Sequence, residues 1–290
     1  MYLMHNPLTI NLIGAGKLGK SIAYLLHHRA GVIIQGIYSK TSASAASAAA
    51  FIGAGTPFTH LAALPPAQLW LITTTDEAIS SVAKELSHHP GIRDSAAIHF
   101  SGSIAAAALE PLANKAMATA SVHPMYSFAQ PYQVIADYQD VYCAIEGNKE
   151  LLPGLFKLFK TIGSIPYEID GSQKSVYHAA GVFASNYLIT LADSALACLN
   201  NAQVPQAIAA DLTLKLMRNT LNNIENTPSL IDALTGPLQR GDSKTITSHL
   251  HALPQRLVEL YQTLGKNTLS LTPHCEEKKQ QLALLLDTHE

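Results

Sequence analysis

The sequence predicts an α/β chain, an N-terminal doubly wound domain with a parallel sheet followed by a C-terminal all-helical domain. Three observations carry this reading. Short continuous apolar runs alternate with helix-period segments through the first half, the pattern of a parallel sheet covered on both faces. A glycine-rich turn, Gly14-Ala15-Gly16-Lys17-Leu18-Gly19, joins the first apolar run to the first helix. After about residue 168 no strand pattern follows and long helical periodicities take over.

Residues 9–13 form a β-rich run that ends in glycine, and residues 17–29 carry Leu18, Ile22, Leu25 and Leu26 at helical spacing. Residues 32–38 form the second strand. The Ala-rich segment 42–51 is a helix stopped by Gly53 and Gly55. Residues 69–73 form a continuous apolar strand, after which Asp76 caps a helix over 77–86. A strand over 97–100, a helix over 104–112, strands over 118–122 and 142–145 and a helix over 151–162 complete the first domain. Residues 174–199 then read as one long helix and 206–223 as another, opened after Pro205. Helices over 243–253 and 256–264 follow, with a polar C-terminal helix after Pro273. The boundary falls in the short polar stretch 165–172 and gives domains 1–168 and 169–290.

The 290 residues are 48% hydrophobic, too apolar for a disordered chain. Charged residues are 14%, against about 25% in a typical domain. Low charge and long apolar helices leave more hydrophobic surface than a small helical domain can bury, which predicts a homodimer. Lys+Arg 19 against Asp+Glu 21 leaves a net charge of −2, so neither nucleic acid nor an anionic membrane is an expected partner. Cys143, Cys198 and Cys275 stand far apart, with no CxxC and no Cys/His ligand spacing, so no metal is expected and a reducing, cytoplasmic compartment fits. The N-terminal residues lack a basic segment followed by a long apolar one, so no signal peptide is expected. The apolar stretch 181–199 carries Asn186 and Asp193, which predicts a buried helix rather than a membrane span.

The glycine turn is informative because of its context. It follows an apolar strand and opens an amphipathic helix, as a dinucleotide-binding Rossmann turn does. Gly14 permits the tight turn, Gly16 lets the backbone approach a pyrophosphate, and Gly19 lets the helix pack on the strand. The helix N-terminus offers free N–H groups and about half a positive charge to the anion. A carboxylate about 20 residues past the glycines would hold a ribose 2′-hydroxyl. Here the second strand ends in Tyr38-Ser39-Lys40-Thr41, where Ser39 and Thr41 can donate and Lys40 can neutralise a 2′-phosphate, so NADP is the expected cofactor. Thr73 and Thr74 close the third strand and Ser101 follows the fourth, all at carboxyl ends that face the ligand crevice of such a sheet.

The glycine turn, HFSGS at 99–103, SVHPMYSFA at 121–129, YHAAGVFASNYL at 177–188 and LTGPLQRGD at 234–242, with Thr245 and His249 beyond, resemble a known family. It is the group of bacterial proteins that join a Rossmann-like NADP-binding domain to a helical domain of the DUF2520 type. The resemblance runs from residue 9 to about 265. It implies a fold shared with pyrroline-5-carboxylate reductase, ketopantoate reductase and the 3-hydroxyisobutyrate dehydrogenase group, together with a helical dimerisation domain. It supplies no substrate. One departure stands out: many 3-hydroxyacid dehydrogenases place a Lys four residues before an Asn on the first interdomain helix. If Asn186 is that Asn, the position four before it is Val182, which transfers no proton, and Lys174 lies more than two turns upstream.

Reduction of a carbonyl or imine takes a hydride from the cofactor and needs a proton source from elsewhere. On the helix 174–199, His178 and Ser185 are seven residues apart and share a face, with Asn186 beside it. His178 is the leading acid/base candidate and His123 the second, with Asn186 as a catalytic partner and Ser185 as a substrate contact. Each histidine has a structural alternative: His178 as a core residue bonded to a carbonyl or tyrosine, His123 as a fixture of the Pro124 turn. Arg240, on a polar glycine-punctuated loop, can grip a carboxylate or phosphate, while Asp242 caps the helix that follows. The reading is an NADP-dependent oxidoreductase moving a hydride between NADP(H) and a small polar, anionic carbonyl, hydroxyl or imine compound. Its rival is a non-catalytic NADP-binding regulator or scaffold.

Overall fold

Strand β1 (Thr9–Ile13) and helix α1 (Lys17–Ala30) form where the apolar run and the helical spacing place them. On the strand, Ile10, Leu12 and Ile13 are fully buried, while Ile22, Leu25 and Leu26 turn the helix onto the sheet. The computed structural model describes residues 7–287. The chain continues through β2 (Ile33–Tyr38), α2 (Ser42–Ile52), β3 (Thr56–Phe58), β4 (Leu69–Ile72), α3 (Asp76–Leu86), β5 (Ala96–His99), a one-turn α4 (Glu110–Ala113) and β6 (Ala118–Pro124). Then come α5 (Pro131–Asp137), β7 (Val141–Gly147), α6 (Leu152–Thr161), β8 (Ser164–Glu168) and α7 (Lys174–Gly181). A π-helical turn, Val182–Asn186, leads to α8 (Tyr187–Asn201), α9 (Gln206–Asn226), a short α10 (Pro237–Arg240), α11 (Ser243–Ala252), α12 (Gln255–Leu269) and α13 (Glu276–Leu285). Two compact units divide between Phe183 and Ala184, inside the π turn.

The eight strands form one sheet in the order β3-β2-β1-β4-β5-β6-β7-β8. Order reverses at β1, which lies between β2 and β4, and such a reversal opens a crevice at the strands' carboxyl ends. The sheet is mixed rather than fully parallel: β7 runs antiparallel to β6, and β8 runs parallel to β7. Antiparallel additions to an otherwise parallel sheet are common. The two strands that periodicity does not reveal, β3 and β8, are the two edges, and each carries a proline, Pro57 and Pro166. Proline is tolerated at an edge because no ladder donor is needed there.

Asn11 and Arg29 satisfy backbone groups inside this unit. Asn11, fully buried on β1, donates to Pro65 O at 2.6 Å and accepts from Gly36 N at 2.9 Å. Arg29, at the end of α1, donates to the carbonyls of Ile135, Tyr138 and Ile162, so one guanidinium satisfies the carboxyl ends of both α5 and α6.

Several local expectations change. Thr75, not Asp76, is the N-cap of α3, and Asp76 sits in its first turn. The helix expected over 104–112 is a 3₁₀ turn, Ala106–Leu109, followed by α4 with Pro111 in its first turn. The long helix is broken by the π turn, which inserts an extra residue's worth of rotation. The spacing of seven between His178 and Ser185 therefore no longer defines a single face. Nor is the stretch 181–199 buried: α8 has no buried residue, and α9 has only Ala209 and Thr213. Among the described residues, Gly171–Asn201 is the one helical run long and apolar enough to cross a membrane by length and composition. Its first turn carries Lys174, whose ammonium is buried against β5 and β6. The second unit has a small core of Ile246, Leu269, Leu282 and Leu286. Asp242 caps α11 as expected, accepting from Thr245 N at 3.1 Å.

Candidate active site at the strand ends

The glycine turn is built by contact with β4. Gly14 has φ +104°, in the region that favours glycine, and its N–H donates to Tyr38 O at 2.8 Å. Thr73 Oγ1 donates to Gly14 O at 2.7 Å. A Cβ on Gly14 would lie 2.8 Å from the Thr73 carbonyl, and a Cβ on Gly19 would overlap Thr73 Oγ1. Gly16 differs: nothing lies within 4 Å of where its Cβ would be. It is the N-cap of α1, no side chain caps the helix there, and the first turn holds no acidic residue. The first amides of α1 thus face open space beside an exposed Lys17, with Ala15 and Leu18 packed against the core. This is the arrangement that binds a phosphate.

The other expected cofactor residues divide. Ser39 is half-buried and Lys40 exposed just beyond β2, while Thr41 is occupied as the N-cap of α2, accepting from Ser44 N at 3.2 Å. Thr73 is engaged in the glycine turn, so its hydroxyl serves the protein. Thr74 Oγ1 is buried with no partner.

A second group sits at the ends of β4, β5 and β6. Asp76 accepts from Ser101 Oγ at 2.8 Å and Ser103 Oγ at 3.0 Å, which ties the β5 turn to the start of α3. Ser101 Oγ also accepts from the Ser103 and Ile104 amides, so this side chain is used by the turn itself. Lys174, 1% exposed, donates to Ser101 O at 2.9 Å and Ser121 Oγ at 2.7 Å. Ser121 faces Glu146 across the β6–β7 ladder, which puts both side chains on one side of the sheet near the lysine. Burial pulls the Lys174 ammonium below its ordinary range and pushes the Glu146 carboxyl up, and each opposes the other's shift by its charge.

His123, His178 and Gly102 complete the cluster. The two imidazole centroids are 5.6 Å apart at 73°. A Cβ on Gly102 would overlap His178 Nδ1 and lie 2.8 Å from His123 Nε2, so the absence of a side chain at Gly102 lets the rings meet. His123 Nδ1 lies 3.3 Å from Phe100 O, and burial lowers its pKa to about 4. His178 Nδ1 is buried without a partner. Tyr177 packs edge-on to His123 and accepts from Tyr167 OH at 2.8 Å. His99 is structural, accepting from Ser101 N and bonding Ala105 O, with its pKa lowered to about 4 by burial.

The first unit therefore brings His123, His178 and Ser101 together at the strand ends, and the glycine turn with Thr73 at the neighbouring ends. Ser185 and Asn186 are exposed in the π turn, and Arg240 is exposed at the end of α10, all in the second unit. Lys174, Glu146, Asp76 and Gly102 are absent from the sequence-derived site. Two signals were available: Lys174 stands one helical turn before His178, and Gly102 lies inside the HFSGS segment. Among the described residues no group of three or more His, Cys, Asp or Glu could hold a metal ion.

Family models match this chain twice, a Rossmann-like domain over residues 2–124 and a domain of unknown function, DUF2520, over residues 141–268. The chain joins a Rossmann-like domain to a DUF2520 domain. No curated protein matches it. Among solved structures it is similar to BF3122 of Bacteroides fragilis, named as a candidate NADP oxidoreductase, with 25% identity, TM-score 0.78, and coverage of 91% of this chain and 98% of that one. It is also similar in fold to an imine reductase of Streptomyces aurantiacus, at 13% identity and TM-score 0.68 over 94% of this chain and 99% of that one. A pyrroline carboxylate reductase of Plasmodium falciparum, solved with NADP bound, aligns at 13% identity and TM-score 0.60 over 97% of this chain and 100% of that one. The Rossmann–DUF2520 pairing thus sits on a fold shared with the imine reductase and the pyrroline carboxylate reductase.

Proposed function

We propose that this Rossmann–DUF2520 protein is an NADP-dependent oxidoreductase acting on a small polar, anionic carbonyl, hydroxyl or imine compound. The observation that carries the reading is the contrast inside the glycine turn. Gly14 and Gly19 are closed by Thr73, while Gly16 and the amides after it stand open to an anion. The names of BF3122 and of the pyrroline carboxylate reductase solved with NADP bound support a nicotinamide cofactor. Lys40 beyond β2, with no carboxylate beside it, favours the 2′-phosphorylated form. In this reading the Gly16–Leu18 amides hold the pyrophosphate, Ser39 and Lys40 hold the ribose phosphate, and His123 and His178 meet the substrate. When bound, NADPH supplies the hydride. Lys174, beneath the Ser101–Gly102 turn, adds positive charge that favours an anionic substrate. Titration with NADPH, followed by fluorescence or calorimetry, tests this: saturable micromolar binding supports it, and no binding overturns it.

The homodimer and the cytoplasmic setting belong to the same proposal. The α8–α9 pair presents Ile189 and Leu216, 71% and 60% exposed, and a largely apolar groove of about 510 Å³ lined by Leu188, Leu191, Leu212 and Leu216 among others. A second copy covering this face would remove that surface from water.

A further inference from the structure

His123 and His178 meet beside Gly102 in surroundings that place the ring proton on opposite nitrogens. His123 Nδ1 faces the Phe100 carbonyl at 3.3 Å. A carbonyl only accepts, so Nδ1 carries the proton and Nε2 keeps a lone pair. His178 Nδ1 is buried and meets no acceptor. An orphaned buried N–H is rarer than an unfilled lone pair, so the His178 proton belongs on Nε2. The neighbouring His99 shows the same rule with both partners present: Nδ1 accepts from Ser101 N at 3.2 Å, which leaves Nε2–H to donate to Ala105 O at 3.1 Å. No described protein group bonds Nε2 of His123 or of His178. The cluster thus offers one free acceptor and one free donor.

We propose that the pair recognises an oxygen that alternates between carbonyl and hydroxyl: His178 Nε2–H donates to it in both forms, and His123 Nε2 accepts from it once it carries hydrogen. This rests on the oxidoreductase reading and narrows its substrate to the carbonyl and secondary-alcohol class. A carbonyl oxygen presents only lone pairs and matches the single donor. A hydroxyl donates and accepts, and matches both rings. An imine must become a cationic iminium before it takes a hydride. Its N–H has no lone pair for His178, and the Lys174 charge one helical turn away repels it. Burial and then the Lys174 charge lower the His123 pKa, while the Phe100 carbonyl and, more weakly, Asp76 oppose this. In the reduction the C–H bond of the nicotinamide breaks and its hydride bonds to the carbonyl carbon, the C=O π pair moves to the oxygen, that oxygen takes a proton from a water that leaves as hydroxide, and NADP⁺ remains.

Long-range ¹⁵N–¹H NMR of histidine-labelled protein at pH 7 tests the ring forms without substrate. We expect the Nε2–H form for His178 and the Nδ1–H form for His123. An Nδ1–H or doubly protonated His178 overturns the proposal. Glutamine places its amide nitrogen near Nε2 and asparagine near Nδ1. Across a panel of oxo and hydroxy acids, His178→Gln should keep turnover within about tenfold while His178→Asn loses about 100-fold. Equal losses, or faster turnover of cyclic imines than of oxo acids, overturn the assignment. Failure of the wild type to bind NADPH would remove the oxidoreductase reading and the substrate class with it, while the NMR result would still stand.

Discussion

The strand-end crevice of the first unit and the α8–α9 face of the second differ in what the chain leaves unfilled. In the crevice almost every close approach is already made by the protein: Thr73 fills the space beside Gly14 and Gly19, and the two histidines fill the space beside Gly102. What stays open is backbone, the amides at Gly16. On α8 and α9 what stays open is apolar side chain, with Ile189 and Leu216 facing outward and only Ala209 and Thr213 buried. The two openings call for different occupants. Free amides at a helix N-terminus suit an anion, whereas a broad aliphatic face suits another protein surface.

The sharpest way to break this contrast is a pair of substitutions three residues apart. Gly16→Asp meets nothing within 4 Å, and aspartate is a favoured N-cap, so thermal stability should hold or rise. Its carboxylate would stand where a pyrophosphate belongs, and NADPH affinity should fall by about 100-fold or more, since removing a charge-assisted contact and adding repulsion costs about 3 kcal/mol. Gly19→Ala should behave in the opposite sense. Its Cβ overlaps Thr73 Oγ1 and lies 2.6 Å from Gly14 O, so overpacking should lower stability by about 1–3 kcal/mol, read from denaturant midpoints. Equal loss of stability in both variants would show that Gly16 is not open.

The same logic applies to the apolar face with a different readout. We expect the wild type to sediment as a dimer at micromolar concentration. Leu216→Glu puts a charge in the middle of that face and should weaken association by about 100-fold, leaving a monomer whose first unit still binds NADPH. A wild-type monomer would mean that the exposure of α8 and α9 is a property of the finished molecule.

Much of the first comparison was legible in sequence and little of the second. The glycine turn is local: strand, turn and helix are contiguous, so residues 9–30 carry their own context. The edges β3 and β8 were not legible, because Pro57 and Pro166 break the apolar pattern and a sequence does not reveal which strand lies at an edge. Lys174 reads as a solvated helix-start lysine until folding brings Ser101 and Ser121 against it from 73 and 53 residues away. The π turn was hidden because apolar periodicity tolerates one inserted residue. The histidines were visible as candidates, but the reason they meet, the absent side chain of Gly102, is a tertiary fact.

Filled positions should show themselves in acid. His99 is fully buried, both ring nitrogens are bonded, and its pKa is lowered to about 4, below the unfolded value of about 6.5. The unfolded chain therefore takes up the proton first. The neutral ring's contribution is complete above about pH 6.5 and drains away as the pH falls toward 4, by about 2 kcal/mol between pH 7 and pH 5. Glu146, whose pKa is raised, acts in the opposite direction, so the informative quantity is a difference between proteins. Urea midpoints measured from pH 7 to pH 5 should fall less steeply in His99→Gln than in the wild type. Parallel slopes would mean that the buried ring is not neutral in the fold.

The smallest expected effect concerns the open end of β2. Lys40 is exposed and makes no structural contact that its loss would disturb, unlike Thr41, which caps α2. Lys40→Ala should therefore leave stability within about 0.5 kcal/mol of the wild type. If the amine meets a 2′-phosphate, NADPH affinity should drop by about tenfold, because one exposed charge pair contributes on the order of 1 kcal/mol. NADH affinity should not change, and the NADPH effect should shrink as salt rises, since an exposed pair is screened within about 10 Å at 0.1 M. An equal loss for both cofactors would place the lysine near the shared pyrophosphate instead, and would move the ribose site away from the end of β2.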